Sequence, residues 1–166
     1  MAAAVSRPTN RGWLRRLLSG RPHQAIGGAA DPYLRRWYLI PRNPVLNVYL
    51  HQFLRSDDDR ALHDHPWWFV SLILRGRYDE VTDRGTRRRR PGSIAFRRAE
   101  TRHRVELLPD AAYEAEASCW TLIVTGRRAR VWGFWCEYVG DLTGRRRERF
   151  VPWQEWDNDA GCGEAA

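Results

Sequence analysis

From Trp37 onward the chain runs in short stretches rich in Val, Ile, Tyr, Phe and Trp, cut by turn residues at the intervals of a sandwich or barrel. The pattern predicts a mostly β domain. "WYLIP" and "VLNVYLHQFL" read as strands, the second alternating Leu46, Val48, Leu50 and Leu54 on one face with Asn47, Tyr49, His51 and Phe53 on the other. "SDDDRAL" is a polar connection, "PWWFVSLILRG" a buried strand that stops at Gly76, and "RYDEVT" a strand entering the turn "DRG". Pro91 and Gly92 mark a further turn, Ile94 and Phe96 a strand, "RRAET" a loop and "HRVELL" another strand. "CWTLIVTGRRARVWGFWC" predicts a hairpin turning at residues 126–128. No internal repeat is visible, and no helix is long enough to build a layer.

The 166 residues and 43% hydrophobic content suit a single domain. The change of pattern divides it into an N-terminal extension (1–36, partly disordered or a short helix), a barrel domain (37–156) and a flexible tail (157–166). Residues 1–30 lack Asp and Glu, and "GWLRRLLSG" offers two amphipathic helical turns; a frayed terminus is favoured over a transit peptide. His23, in the loop that follows, is expected to be exposed and idle.

Charge narrows the chemistry. Basic residues number 28 against 20 acidic, a net of +8, and every one is arginine, which excludes a catalytic lysine or lysine Schiff base. Arginine grips carboxylate and phosphate bidentately, so the excess fits anionic substrates, nucleic acid or a genome-wide bias. A stripe of Arg84, residues 87–90, Arg97, Arg98, Arg102 and Arg104 lacks any nucleic-acid reader motif, so nucleic acid is not the expected partner. The run at 87–90 reads as a solvated hairpin flank. Three cysteines, Cys119, Cys136 and Cys162, without CxxC spacing argue against a disulfide scaffold or zinc ribbon and favour a reducing cytoplasm. No run approaches the ~18 apolar residues of a membrane span, so a soluble protein with no membrane partner is expected.

Chemistry concentrates in "RALHDHPWWF". In a strand, alternate side chains share a face, so His63 and His65 project together, their backbones about 6–7 Å apart. A third ligand must come from elsewhere, and His103, opening a later strand, is placed for it. Three imidazoles bind zinc, iron, copper, nickel or manganese at about 2.1 Å and leave positions open. The bland alternative is a strand cap in which Asp64 and backbone carbonyls satisfy the rings.

These residues resemble those of a small single-domain cupin. His63, His65 and Gly76 stand where the first cupin motif has HxH and a later Gly; Pro91, Gly92 and His103 match the second with a longer gap, and the resemblance spans roughly residues 45–136. It implies an all-β double-stranded β-helix (jelly-roll barrel) with one divalent transition metal inside its mouth, and pairing into a homodimer through edge strands. Where the motif's Glu should stand the chain has Phe69 and Val70, so His51 is the candidate fourth ligand or orienting partner and Glu80 a weaker alternative.

The expected ligands are therefore His63, His65 and His103, with His51. Fe(II) is favoured, with Zn, Mn, Ni and Cu left open. Trp67 and Phe69 share the histidine parity and are the candidate substrate wall; Trp132, Phe134 and Trp135 lie nearby in the pattern. Tyr49 and Tyr78 are the candidate catalytic hydroxyls, and Arg75 and Arg77 the candidate carboxylate clamp. The implied function is a metal-dependent, dioxygenase-type enzyme acting on a small anionic or aromatic substrate in the cytoplasm. The alternatives are a non-catalytic sugar- or nucleotide-binding sensor, or a metal-free sugar epimerase using a histidine base and tyrosine acid.

Overall fold

The computed structural model describes residues 10–27, 30–57, 61–110, 113–140, 145–156 and 161–162. One helix, α1 (Trp13–Leu18), precedes strands arranged in two six-stranded antiparallel sheets. The first runs in the order β1 (Gln24–Ile26), β2 (Leu34–Tyr38), β3 (Asn47–Phe53), β12 (Cys119–Thr125), β5 (Phe69–Arg75), β8 (Ile94–Arg97). The second runs β14 (Arg145–Pro152), β13 (Gly133–Gly140), β4 (Leu62–His63), β9 (His103–Leu107), β6 (Tyr78–Thr82), β7 (Gly85–Arg89). A small ribbon of β10 (Pro109–Asp110) and β11 (Tyr113–Glu116) stands apart.

Followed along the chain, β3 lies in the first sheet, β4 in the second, β5 in the first, the β6–β7 hairpin in the second, β8 in the first, β9 in the second and β12 in the first. Eight strands that alternate in this way, in the orders β3-β12-β5-β8 and β4-β9-β6-β7, make a jelly roll, the double-stranded β-helix.

Strand parity sets what faces inward. Strand β3 buries Asn47, Tyr49 and His51, so the mixed polar and aromatic face is the inner one. Strand β5 buries Phe69, Ser71 and Ile73, and β12 buries Cys119, Thr121, Ile123 and Thr125. Two clusters form the core. Ile73, Tyr78, Val105, Leu107 and Cys119, with Phe53 against them, fill one end; Tyr38, Tyr49, Phe69 and Ile123, with Trp13 and Trp67 against them, fill the other. Gly76 turns the chain between β5 and β6 at φ 80°, where a Cβ would lie 2.5 Å from the Ser118 carbonyl oxygen and 2.9 Å from Cys119 Cα. Only glycine fits a left-handed turn pressed so closely on another backbone.

Several expectations are corrected. Residues 119–136 are not a hairpin: β12 pairs with β3 and β5, whereas β13 pairs with β4 and β14, so the connection carries the chain from one sheet to the other. The amides of Gly126 and Ala129 anchor that crossing on the carbonyls of Trp68 and Pro66. The run at 87–90 is not wholly solvated, because strand alternation turns Arg89 inward. Cys136 and Cys162 form a disulfide, leaving Cys119 as the free thiol. His23 is half-buried: Nδ1 accepts from the Tyr38 amide at 3.1 Å, Nε2 lies 3.1 Å from the Trp13 carbonyl oxygen, and the ring stacks on Tyr38. Strands β1 and β2 also extend the first sheet ahead of Trp37. No helix of the described residues is long and apolar enough to cross a membrane.

Candidate metal centre

Strands β4 and β9 are neighbours in the second sheet, with His63 directly opposite His103. His65 follows two residues later, and its ring returns to the same point. One ring nitrogen from each of the three lies within 4.8 Å of the others, and His65 Nε2 is 2.7 Å from His103 Nε2. Ring centroids stand 5.0–5.2 Å apart. Two ligands about 2.1 Å from one ion are themselves separated by ~3.0–3.4 Å, so for the three to share an ion the His65–His103 pair would open and the His63 nitrogen would close in.

The groups behind the rings are equally specific. Glu80, on β6, is buried, and its carboxylate takes hydrogen bonds from Arg89 Nε (2.8 Å) and Nη2 (2.6 Å), from Arg97 Nε (2.9 Å) and from Arg97 Nη2. Its Oε1 lies 3.2 Å from His103 Nδ1. A carboxylate behind the outer nitrogen fixes which nitrogen of a ligating imidazole faces inward. Asp57 Oδ2 stands 3.8 Å from His63 Nδ1 while accepting from the Val105 amide at 2.7 Å. Asp64, between the two motif histidines, points the other way. Fully buried, it accepts from Arg130 Nη1 (2.5 Å), the Gly133 amide (3.0 Å) and Trp135 Nε1 (3.1 Å), so it holds the interstrand connection and does not satisfy the rings.

His51 faces the interior but stands outside the trio; its Nε2 accepts from Arg36 Nε at 2.7 Å and its ring stacks on Tyr49. Phe69 meets the His65 ring edge-on at 4.7 Å, and Trp67 packs on the aromatic cluster around Phe69. Tyr49 is buried between His51 and Tyr38. Tyr78 lies at the opposite end of the barrel, opposite Leu107, whereas His103 is opposite Thr82. Arg75 and Arg77 are exposed beyond that same far end.

Of the second layer of aromatic rings, the sequence placed Trp132 and Phe134 near the histidines and missed Trp153 and Trp156. Trp132 stacks parallel to His65 at 6.5 Å and Phe134 lies 6.0 Å from His63; Trp153 stacks on Trp132 at 6.0 Å and Trp156 on Phe134 at 3.8 Å. Trp132 and Phe134 carry the parity signal. Trp153 and Trp156 carry none, since they arrive from beyond β14.

No protein-family model and no curated protein matches the chain. Among solved structures it is similar to a cupin-2 domain protein of Rhodospirillum rubrum (15% identity over 64% of this chain and 70% of that one, TM-score 0.49). It is also similar to a polyketide cyclase of Streptomyces resistomycificus (17%, 65% and 80%, TM-score 0.48) and a double-stranded β-helix protein of Klebsiella pneumoniae (12%, 67% and 88%, TM-score 0.47). At such identities no residue role transfers. The strand order itself defines the barrel, with three histidines converging at one end of it. The fold is a double-stranded β-helix.

Electrostatics suit the histidine trio to a cation. Burial, partly offset by Asp57 and reinforced by His103, lowers the His63 pKa to about 4; burial with the neighbouring His103 and His63 rings holds His65 well below its ordinary value. Both are therefore neutral at pH 7, the form that ligates metal. Burial opposes ionisation of Glu80, but His103, Arg97 and Arg89 outweigh it and hold the carboxyl below the usual range. With both oxygens committed to the two guanidiniums, Glu80 serves as the support behind His103, leaving the three imidazoles as the ligand set.

Two outcomes follow. Because the half-buried His63 refuses a proton that the unfolded chain accepts below its free pKa of about 6.5, stability of the metal-free protein is full above that pH. It falls as the pH drops towards 4, which urea titrations at pH 7.5, 5.5 and 4.5 will show as a declining midpoint. Glu80→Gln leaves two buried guanidiniums without their anion and is expected to cost about 3–5 kcal/mol in the same titrations at pH 7.5.

Proposed function

We propose that this protein is a metal-dependent cupin enzyme that acts on a small anionic or aromatic metabolite, with a mononuclear Fe(II) centre and dioxygenase-type chemistry. The observation that carries the reading is the convergence of His63, His65 and His103 within 4.8 Å, with the carboxylates of Glu80 and Asp57 behind two of the rings. Three imidazole ligands would leave coordination positions open and add no negative charge to an ion, which favours anionic substrate donors. An ion held there would supply Lewis-acid polarisation or dioxygen activation. The chain's own residues hold and surround it: Glu80 and Asp57 face the outer nitrogens of His103 and His63, while Phe69, Trp132 and Phe134 present apolar ring surface around the rings. Aromatic walls exclude water and suit a planar ligand.

Two copies pairing along the edge strand β8 are part of the proposal, since exposed Ile94 and Phe96 lie beside exposed Trp68 and Leu74 there. Light scattering is expected to give twice the chain mass, and a monomer at micromolar concentration removes that element.

The decisive test is elemental analysis of protein purified without chelator or metal-affinity tag. About one transition-metal ion per chain is expected, with iron dominant under anaerobic purification. His63→Ala and His103→Ala are each expected to lose more than about nine-tenths of that metal while keeping the wild-type circular dichroism spectrum, because the apolar end of the core does not depend on the ion. Full metal content in both variants would refute the ligand assignment. Metal without oxygen consumption on any aromatic or thiol acid supports the non-catalytic binding alternative instead.

A further inference from the structure

Arginine is the only basic residue type carrying a fixed charge in this chain, and burying a guanidinium calls for an anion beside it. Among the described residues the rule holds with one exception. Arg55, Arg89, Arg97, Arg102, Arg104 and Arg130, each buried or half-buried, pair with Asp31, Glu80, Glu80, Glu148, Glu106 and Asp64. Arg36 is half-buried too, yet the partners of its side chain are neutral: Nε donates to His51 Nε2 at 2.7 Å, Nη1 donates to Gln24 Oε1 at 3.3 Å, and the guanidinium lies 4.9 Å over the Tyr49 ring.

The placement is inward. Arg36 sits on β2 directly opposite His51 on β3, at the parity of buried Leu34 and Tyr38. Tyr49, beneath it, belongs to the same cluster as Phe69, whose ring touches His65. The charge is near enough to act on the His51 and His65 rings, where it adds to the larger effect of burial. His51 accepting at Nε and Gln24 accepting at Nη1 fix the guanidinium plane. Of the five donors of an arginine side chain, two are so engaged, which leaves the Nη1–Nη2 end of the fork, the geometry that meets a carboxylate with two parallel bonds.

We infer that Arg36 is the substrate-binding residue for a carboxylate, so that the ligand of this site is a small carboxylic acid whose carboxylate supplies the anion Arg36 lacks. The inference rests on the functional reading above for the identity of the site, and it replaces Arg75 and Arg77 as the clamp. Planar geometry favours a carboxylate over a tetrahedral phosphate, and the aromatic cluster beside the guanidinium favours an acid with an apolar body.

The test is calorimetric titration of the full chain at pH 7, metal-loaded and metal-free, with benzoate, 3-phenylpropionate, the neutral isostere benzamide and inorganic phosphate. At least one of the two carboxylates is expected to bind at least ten-fold more tightly than benzamide. Arg36→Gln is expected to weaken that binding ten-fold or more, and Arg36→Lys, which keeps the charge and loses the fork, by less. Metal content in both variants should equal that of the wild type. Equal carboxylate affinity in the wild type and Arg36→Gln, no binding of either carboxylate, or tighter Arg36-dependent binding of phosphate each overturns the assignment. Should Arg36→Gln fail to fold, equal affinity of the wild type for benzoate and benzamide overturns it, and at least ten-fold preference for benzoate that is reduced in Arg36→Lys supports it. Arg36-dependent carboxylate binding by a protein that takes up no metal would remove the metal reading and leave this one standing.

Discussion

A single buried carboxylate holds the working end of this barrel together. Glu80 comes from β6 and its partners come from three other strands: Arg89 from β7 beside it, His103 from β9 on its other side, and Arg97 from β8 in the opposite sheet. Desolvating a carboxylate costs several kcal/mol, and only well-placed charged hydrogen bonds recover it. Here two guanidiniums supply them. The same bonds that make the burial tolerable span both sheets, and Oε1, held by Arg97, lies 3.2 Å from Nδ1 of the imidazole that completes the trio. Geometry at the candidate metal centre is thus a consequence of how one charge is accommodated.

That arrangement also explains which parts of the site were legible. His63 and His65 share a face because side-chain parity is local, and Gly76, Pro91 and Gly92 punctuate the chain because turns are local; the barrel and its third histidine follow from those signals. Glu80 carried a signal too, at the parity of buried Tyr78, but its partners are fixed by strand adjacency. Nothing in the run at 87–90 says that Arg89 faces a carboxylate nine positions earlier until β6 and β7 are in register. Arg36 is a sharper case, since the order β2-β3-β12-β5 that brings it towards the histidines is set by crossovers and not by any local pattern. The same ignorance produced the hairpin reading of residues 119–136, where two apolar arms flank a turn but belong to different sheets. Cysteine spacing likewise hides the Cys136–Cys162 pairing, because a bridge depends on where the tail returns to β13.

Inside, the barrel divides by chemistry. At one end Ile73, Tyr78, Val105 and Leu107 pack around Cys119, whose thiol burial pushes up to about 12, so it stays protonated and acts as a small apolar side chain. Towards the other end the inner face of the first sheet bears Asn47, His51, Ser71, Thr121 and Thr125, all buried. Buried polar groups weaken a core relative to aliphatic ones; Asn47 is used to hold the turn at Asn43, which leaves His51, Ser71, Thr121 and Thr125 as the polar part of this wall. They stand across the barrel from the histidines on the second sheet, so the polar wall and the ligand set enclose a common interior.

The division has a consequence for how tightly function is bound to stability. Burial of hydrocarbon at the Ile73 end is independent of any ligand, so the strands keep their register whether or not the histidines are coordinated. The histidine end is different: its crowded imidazoles, its carboxylate shared between two guanidiniums and its arginine on neutral acceptors are each costly in isolation. Residues arranged to be satisfied by a cation on one side and an anion on the other gain most when both are present. A barrel in which one end supplies rigidity and the other holds poised charges would keep its fold with or without ligands, since the apolar end of the core offsets the cost of pre-positioning.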